Sequence, residues 1–314
     1  MDKKLANLRV FVTGATGYIG SFLAKRLLEE GCTVHILVRN TSNLKLINPI
    51  IDNLFVHVYD GSYESIDRAI QKARPDLVFH LSSFASITIQ TSDIENMISS
   101  NILLGTFLAE AMSKHRVTKI INTSSYSQHY NQQEYLPNSL YAATKQAFED
   151  ILLYYAHFHS FNVINLVLFD NFGPNDPRNK IMNLLFRALK NGNVLSMSPG
   201  EQFLDLLYID NVIDAYMIAA SRLMDGKGKN VERFAVRSSK PIQLKELVQL
   251  IEKISDKKIS VRWGDLEYRP GEIMIPWSKG EILPGWSPSI SLEQGISLYL
   301  QDDSKNQQRK EEGE

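Results

Sequence analysis

The chain has 314 residues, of which 44% are hydrophobic, and a formal net charge of −1 at pH 7. This length can bury a large core and suits one large domain or two smaller ones. A net charge near zero gives no general electrostatic reason to bind nucleic acid or an anionic membrane. The single cysteine, Cys32, excludes an internal disulfide and a cysteine-based metal cluster. The histidines show no metal-ligand spacing, so no metal is expected.

Two further patterns bear on location. The sequence contains no run of 18 apolar residues, and its start lacks the pattern of a secretory signal peptide. We therefore expect no membrane partner and a cytoplasmic location.

Short β-branched runs alternate with amphipathic helices through the first 170 residues. Strands are predicted at 9–15, 33–39, 53–60, 76–83, 119–125 and 161–170. Helices are predicted at 18–31, 63–73, 93–115 and 140–158. Because most of the strands are almost entirely apolar, the pattern predicts an α/β fold in which helices cover both faces of a doubly wound parallel sheet.

The alternation ends after residue 170, where a Pro/Asn/Gly-rich loop begins. The first unit, 1–170, is predicted to bind a dinucleotide, and 210–237 is predicted to return to it. A smaller α+β unit for the substrate is predicted at 171–209 and 238–300. The stretch 301–314 is charged and lacks apolar residues, so it is predicted to be disordered.

The sequence TGATGYIG places Gly14, Gly17 and Gly20 between the first predicted strand and the first predicted helix. Glycines at such a turn let the backbone approach a pyrophosphate, and the start of the helix offers N–H donors to its oxygens. The turn therefore predicts a dinucleotide site.

The end of the second strand indicates which dinucleotide is bound. An acidic residue there bonds the ribose 2′-OH of NAD, whereas an arginine accommodates the 2′-phosphate of NADP. Val38 stands at the position of the acid and Arg39 follows it. NADP(H) is therefore favoured, with NAD(H) as the alternative. Asp60, which ends the third strand, is a candidate for the adenine amino group.

Tyr141 and Lys145 stand four residues apart at the start of the predicted helix 140–158, so they share one face of it. A lysine ammonium favours a phenolate and lowers the tyrosine pKa towards working pH. Such a tyrosine can exchange a proton with a carbonyl oxygen while hydride moves to carbon. The spacing alone is equally compatible with an ordinary helix.

Several motifs follow one another in a fixed order: TGATGYIG, VFHLSS, Asn101 in SSNILLGT, NTSS, YAATK, FGPND, LYIDNV and RPGE. From about residue 8 to 300 the chain resembles the extended short-chain dehydrogenase/reductases, a family of nucleotide-sugar epimerases, dehydratases and reductases. The resemblance implies a Rossmann sheet with a smaller C-terminal substrate domain. It also implies a homodimer formed through two long helices, here 93–115 and 140–158.

The resemblance implies that Tyr141 and Lys145 are catalytic and that Lys145 also holds the nicotinamide ribose. The third catalytic member is Ser125, whose hydroxyl would bond the substrate oxygen, with Ser124 as the alternative one position earlier. The implied cofactor contacts are Gly14, Thr16, Gly17, Tyr18, Ile19, Gly20, Arg39, Asp60, Gly61, Leu81, Ser82, Ser83, Tyr141 and Lys145.

Substrate contacts are carried over on the same resemblance. Asn171 matches a residue near the sugar diphosphate, and Arg269 matches an arginine that grips the diphosphate through its bidentate fork. Arg178 and Lys180 lie on the loop after Asn171 and are candidates for phosphate contacts. Met197 matches the segment that flanks the base in relatives.

The sequence also departs from the family. Leu204 stands where an arginine often precedes the aspartate, here Asp205, so one phosphate contact is missing or supplied elsewhere. The family's dehydratases carry an Asp-Glu pair where this chain has Tyr126 and Ser127, so 4,6-dehydration is not expected. Bifunctional epimerase-reductases use a cysteine, but Cys32 lies far from that position in the sequence.

The run at 128–152 resembles most closely the reductases that act on the 4-keto group of CDP- or other nucleotide-linked deoxyhexoses, such as CDP-paratose and CDP-abequose synthases. We therefore expect NADPH-dependent reduction of a nucleotide-linked 6-deoxy-4-ketohexose, with CDP weakly favoured as the nucleotide. The first alternative is a nucleotide-sugar 4-epimerase with bound NAD. The second is a non-catalytic sensor that binds NADP.

Overall fold

The computed structural model describes residues 5–85 and 90–311, and only the backbone from 303 onwards. The strands are β1 (Arg9–Thr13), β2 (Thr33–Arg39), β3 (Phe55–Tyr59), β4 (Leu77–His80), β5 (Lys119–Ser125), β6 (Asn162–Leu168), β7 (Asp170–Phe172), β8 (Leu195–Met197), β9 (Phe203–Leu204), β10 (Leu206–Tyr208), β11 (Val231–Val236), β12 (Ile242–Gln243) and β13 (Val261–Trp263). The helices are α1 (Tyr18–Glu29), α2 (Tyr63–Ala73), α3 (Thr91–Ile98), α4 (Leu104–Lys114), α5 (Leu140–Phe158), α6 (Ile181–Asn191), α7 (Ile209–Met224), α8 (Leu244–Ser255) and α9 (Leu292–Glu311).

Seven strands form one parallel sheet in the order β11-β6-β5-β4-β1-β2-β3. The predicted α/β fold with a doubly wound parallel sheet is therefore confirmed. Because all seven strands run the same way, the carboxyl ends of β1, β4 and β5 lie side by side at one edge. Ligands of such sheets bind at that edge, where the strand order reverses.

Alternation along the strands divides the core into two layers. On β1, Val10 and Val12 join the cluster that includes residues of α1 and α7, whereas Phe11 joins the cluster with residues of α2, α4 and α5. Phe148 and Leu152 place one face of α5 in that second cluster. This packing of α5 against the sheet fixes the position of the first turn of α5 relative to the end of β5.

The predicted long helix at 93–115 is divided in the structure. A π turn at Ser99–Leu103 separates α3 from α4. Asn101, buried in this turn, accepts a hydrogen bond from the Phe84 backbone N–H (2.6 Å) and donates to the Phe84 carbonyl (2.9 Å) and to Thr144 Oγ1 (2.9 Å). The irregular turn thus ties the segment after β4 to α5, as is common for π turns near functional sites.

The last third of the chain contributes strands both to the main sheet and to the small sheets. The segment 210–237 supplies most of α7 and all of β11, which forms the edge of the main sheet beside β6. The small sheets pair β10 with β7, β12 with β9 and β13 with β8, and only the β12–β9 pair is antiparallel. None of the helices in 5–85 and 90–311 is long and apolar enough to cross a membrane.

The end of the chain differs from the expectation. The backbone is helical to Glu311, although composition predicts disorder from 301 onwards. The helix begins with apolar residues that pack on the core, among them Ile296, and the following Gln, Lys, Arg and Glu residues are good helix formers that can extend it. Residues 312–314 of the predicted tail lie outside the described residues.

Candidate active site

A cavity of about 280 Å³ lies at the carboxyl ends of β1, β2 and β4. Seven of the predicted cofactor contacts line it: Gly14, Thr16, Gly17, Arg39, Leu81, Ser82 and Ser83. The sequence analysis did not assign the other lining residues to the cofactor site: Leu37, Val38, Thr41, Ser42, Tyr59 and Leu104.

The glycine turn fits a pyrophosphate because it leaves no room for side chains. Gly14 has φ +74°, and a Cβ there would lie 2.7 Å from the backbone of Leu81 and Ser82. A Cβ on Gly20 would lie 2.1 Å from the Gly14 carbonyl oxygen. Helix α1 starts directly after Gly17, which has no capping side chain, so its first-turn N–H groups face this turn. Gly17, Tyr18, Ile19 and Gly20 would hold the phosphates through this backbone.

Arg39 lies exposed at one end of the cavity. Its backbone N–H donates to Ser42 Oγ (2.9 Å), and its guanidinium reaches Ser100 Oγ in the π turn (3.4 Å). Val38 beside it is buried in the core. A cation with two neighbouring hydroxyl groups therefore borders the place where a carboxylate would read the ribose of NAD.

Asp60 and Gly61 are not among the residues that line the cavity. Asp60 Oδ1 accepts hydrogen bonds from the Ser62 N–H (3.0 Å) and the Ser62 hydroxyl (2.6 Å), and these bonds lower the Asp60 pKa to about 2. Gly61 has φ +99° in the same turn. Asp60 is thus a turn residue that starts the loop into α2, and its contact with the adenine stays a prediction.

The three predicted catalytic residues meet beside the cavity. Ser125 is the last residue of β5, and Tyr141 lies in the first turn of α5, whose N-cap Ser139 accepts a bond from the Ala142 N–H (3.3 Å). The Tyr141 hydroxyl is in contact with the side chains of Ser125 and of Ser83, and Ser83 belongs to the cavity wall. Lys145 follows one turn later and is buried. The structure thus places a phenol hydroxyl next to the cavity.

Ser124 faces away from this group. Its hydroxyl donates to Glu149 Oε1, so Ser124, the alternative to Ser125, is directed at Glu149 of α5.

Burial controls the charges of the pair. It raises the pKa of Tyr141, and the bonds from Ser83 and Ser125 oppose this only in part. It also lowers the pKa of Lys145 to about 8, with Glu149 acting in the opposite direction. Because both side chains are desolvated, the shift of Tyr141 is opposite to the expected one. Tyr141 is a neutral phenol, which suits a group that donates a proton.

The loop candidates for phosphate contacts are held by local partners. Arg178 bonds both oxygens of Asp176 (2.7 Å each) and Asn171 Oδ1 (2.8 Å), and it lies over the Tyr18 ring at 4.5 Å. Lys180 is 3.4 Å from Asp170 Oδ1. Asn171 and Arg178 therefore bond each other, and the Tyr18 ring belongs to this cluster and not to the cofactor cavity.

The two other substrate candidates differ in exposure. Met197 is buried, with 7% of its surface exposed, and it packs in the main core. Arg269 is exposed and pairs with Glu272 three residues later (3.0 Å). Arg269 is therefore accessible to a bound phosphate, whereas a base contact by Met197 requires movement of its side chain.

Two groups near the catalytic residues lie outside the predicted set. The Tyr126 hydroxyl donates to Asp170 Oδ2 (2.8 Å), and its ring stacks on Phe169 with centroids 4.7 Å apart. Glu149 of α5 pairs with Arg233 of β11. The position of Glu149, four residues after Lys145, was the available sequence signal, but its partner lies 84 residues away. No group of three or more His, Cys, Asp or Glu residues suited to a metal occurs among the described residues.

Together the sheet, the cavity and the adjoining Ser-Tyr-Lys group define a nicotinamide-dependent enzyme of the short-chain dehydrogenase/reductase class. The profile of the NAD dependent epimerase/dehydratase family matches residues 10–232, more than half of the 314 residues. The chain belongs to this family, as the sequence motifs predict.

Individual relatives and solved structures resemble the chain over most of its length. CDP-abequose synthase of Yersinia pseudotuberculosis is 29% identical over 272 residues, which cover 86% of this chain and 92% of that protein. UDP-N-acetylglucosamine 4-epimerase of Methanobrevibacter ruminantium, solved with UDP-N-acetylmuramic acid, superposes with a TM-score of 0.83 at 22% identity and covers 96% of this chain and 99% of its own. UDP-glucose 4-epimerase of Thermus thermophilus, solved with NAD, gives 0.79 at 22% identity, covering 94% and 98%. At these identities the two structures establish the fold.

Proposed function

We propose that this protein is an NADPH-dependent reductase of the 4-keto group of a nucleotide-linked 6-deoxy-4-ketohexose, with a CDP-sugar as the favoured substrate. The observation that carries the proposal is the contact of the Tyr141 hydroxyl with Ser125, at the end of β5, and with Ser83, in the wall of the cofactor cavity. The similarity to a CDP-abequose synthase supports a CDP-linked deoxysugar.

The residues can perform the step as follows. A reduced nicotinamide cofactor held at the turn of Gly14, Gly17 and Gly20 would supply the hydride for C4 of the sugar. Ser125 donates a hydrogen bond to the C4 oxygen and orients it. Tyr141, kept neutral by burial, gives its proton to that oxygen as the carbonyl becomes an alcohol. Lys145 stabilises the tyrosinate that remains until a proton returns from solvent.

The side chain after Ser125 argues for a simple reduction. The Tyr126 hydroxyl donates a hydrogen bond to the Asp170 carboxylate, and Tyr126 itself is not a carboxylate acid or base. Dehydration needs an acid and a base at this place, and neither Tyr126 nor Ser127 supplies a carboxylate. Net reduction needs only one hydride, from the cofactor in the cavity, and one proton, from Tyr141.

The proposal is tested by offering NADPH with CDP-, dTDP-, GDP- and UDP-linked 4-keto-6-deoxyhexoses and following absorbance at the nicotinamide band. We expect oxidation of NADPH with at least one of them, most rapidly with the CDP-sugar. Interconversion of 4-hydroxy sugars by the purified protein without added cofactor would instead establish the epimerase. Binding of NADPH without turnover of any sugar would establish the sensor.

We further propose that Arg39 binds the 2′-phosphate, because it borders the cavity beside the hydroxyl groups of Ser42 and Ser100. Arg39→Ala should raise the Kd of NADPH about 10- to 100-fold, since a hydrogen bond to a charged group is worth about 1.5–3 kcal/mol. The Kd of NADH should change little. Titration of protein fluorescence with each cofactor measures both values, and an equal loss for the two would refute this role for Arg39.

A homodimer through α3, α4 and α5 is proposed on the same surface that the family resemblance implies. Large apolar side chains are exposed there, namely Ile94, Ile98, Leu103, Leu153, Tyr154 and Phe158, the last with 71% of its surface exposed. An exposed cluster of this kind is typical of an interface.

The expected result is that Phe158→Asp converts a dimer into a monomer, because it places a charge in an apolar contact. Light scattering after size-exclusion chromatography measures the mass. Phe55→Asp is the matched control, since Phe55 is 54% exposed on β3, outside this surface. A monomeric wild type, or equal dissociation by Phe55→Asp, would contradict the assignment.

A further inference from the structure

A buried ion pair lies directly behind the catalytic residues. Glu149 is only 4% exposed and follows Lys145 by one turn of α5. Its Oε1 accepts hydrogen bonds from Ser124 Oγ (2.5 Å) and Gln128 Nε2 (2.9 Å). Its Oε2 accepts from Arg233 Nε (3.0 Å). Both carboxylate oxygens are therefore fixed by partners on other parts of the chain.

This carboxylate reaches Ser125 through one side chain. Gln128 donates to Glu149 and at the same time accepts a bond from the Ser125 N–H (2.9 Å). The preceding residue, Ser124, is bonded to Glu149 directly. The end of β5 is thus held at two successive residues, and the Ser125 hydroxyl is left to face Tyr141.

Arg233 brings a third element into the cluster. It lies on β11, 84 residues from Glu149 in the sequence, and it also approaches Glu134 of the loop before α5 (3.5 Å). A cavity of about 300 Å³ opens beside the pair and is lined by both Glu149 and Arg233. Burying the Glu149 carboxylate is costly even beside the half-buried Arg233, and such a pair often adds little stability, so a pair that touches catalytic elements calls for a functional reason.

The charge of Glu149 also acts on Lys145. Titratable neighbours of Lys145 are Glu149, one turn later on α5, and His80 on β4, and Tyr141 lies one turn earlier on α5. Burial lowers the His80 pKa to about 3, so this imidazole is neutral, and burial keeps Tyr141 a neutral phenol. Among these three groups, Glu149 is the one whose charge favours the ammonium form of Lys145.

We propose that Glu149, clamped by Arg233, is a positioning residue that fixes Ser125 at the end of β5 and balances the charge of Lys145. It touches neither cofactor nor substrate and acts through Ser124, Gln128 and Lys145. The kinetic part of this inference rests on the proposed reductase function, whereas the charge balance is measurable without any substrate.

The first test is NMR titration of the protein labelled with 13C at lysine Cε, with the Lys145 signal assigned from a Lys145→Arg variant. In wild type the Lys145 pKa should be near 8. Glu149→Gln removes the negative charge that opposes the effect of burial, so the pKa should fall below the wild-type value. A Lys145 pKa unchanged in Glu149→Gln overturns the proposal.

The second test is steady-state kinetics over pH with the nucleotide sugar that wild type reduces. For Glu149→Gln we expect kcat to fall about 10- to 100-fold, as expected of a displaced catalytic group, while KM for the sugar stays within about twofold. The alkaline limb of the kcat profile should move to lower pH, because Lys145 loses its proton earlier. A smaller kcat with an unmoved limb indicates a merely structural role and overturns the proposal.

Two further variants keep the tests decisive. Glu149→Gln combined with Arg233→Met removes both charges, so folding is not compromised by one unpaired charge, and the same Lys145 shift is expected. Glu232→Gln is the matched control, since Glu232, the residue of β11 before Arg233, makes two hydrogen bonds with Arg222 of α7 (2.7 and 2.8 Å). If the wild-type protein reduced no nucleotide sugar, only the reductase function would be refuted, because the NMR result does not depend on turnover.

Discussion

Tyr141→Phe should reduce kcat about 10²- to 10⁴-fold while leaving the Kd of NADPH nearly unchanged. The substitution removes one hydroxyl, which contacts Ser125 and Ser83. A positioned proton donor typically contributes that factor to the rate, and the aromatic ring remains to fill its place. Steady-state turnover and fluorescence titration with NADPH check the two halves of the expectation.

Tyr154→Phe is the control for this substitution. Tyr154 lies on the same helix, but its ring is exposed and its hydroxyl bonds only weakly to His159 (3.3 Å). It should retain wild-type turnover. If Tyr141→Phe turned over at the wild-type rate, Tyr141 would not be the proton donor. If it lost NADPH binding as well, the hydroxyl would act chiefly in holding the cofactor.

Gly20→Ala should be the most damaging single methyl group in the nucleotide site. Its Cβ would lie 2.1 Å from the Gly14 carbonyl oxygen and 2.9 Å from Ala15 Cα, and both are backbone atoms that no rotamer change can move. Helix α1 must therefore shift away from the turn. We expect the free energy of unfolding to fall by about 3 kcal/mol, at the upper end for overpacking.

The shift should also weaken NADPH binding. Losing two bonds from N–H groups to pyrophosphate oxygens, each worth about 1.5–3 kcal/mol, raises the Kd about 100-fold or more. Thermal unfolding and NADPH titration measure the two effects. Gly31→Ala is the control, because its Cβ meets nothing within 4 Å and tests only the strain of a φ of +82°. Wild-type NADPH affinity in Gly20→Ala would contradict the assignment of the turn.

Local patterns made much of the architecture predictable. The strand periodicity, the glycine turn and the Tyr141–Lys145 spacing are each patterns of a few neighbouring residues. The structure places the strand ends, the turn and the pair around one edge of the sheet. The parallel sheet then follows because nearly every predicted strand is apolar on both faces.

Features that depend on folding could not be derived in this way. Arg178 was a candidate for a phosphate contact, and its pairing with Asp176, two residues before it, was not indicated by the sequence. The shift of the Tyr141 pKa depends on desolvation, which no spacing reveals. Glu149 meets Arg233 only because β11 returns to the edge of the sheet beside β6.

The central claim is that Tyr141 and a bound reduced nicotinamide together convert a 4-keto sugar into a 4-hydroxy sugar. The most direct measurement uses NADPH labelled with deuterium at the transferable position and a CDP-linked 4-keto-6-deoxyhexose, with the product analysed by NMR and mass spectrometry. We predict one deuterium at C4 of the sugar and one NADP formed per product. Recovery of the unchanged 4-keto sugar, without deuterium at C4 and without net consumption of NADPH, would contradict the account.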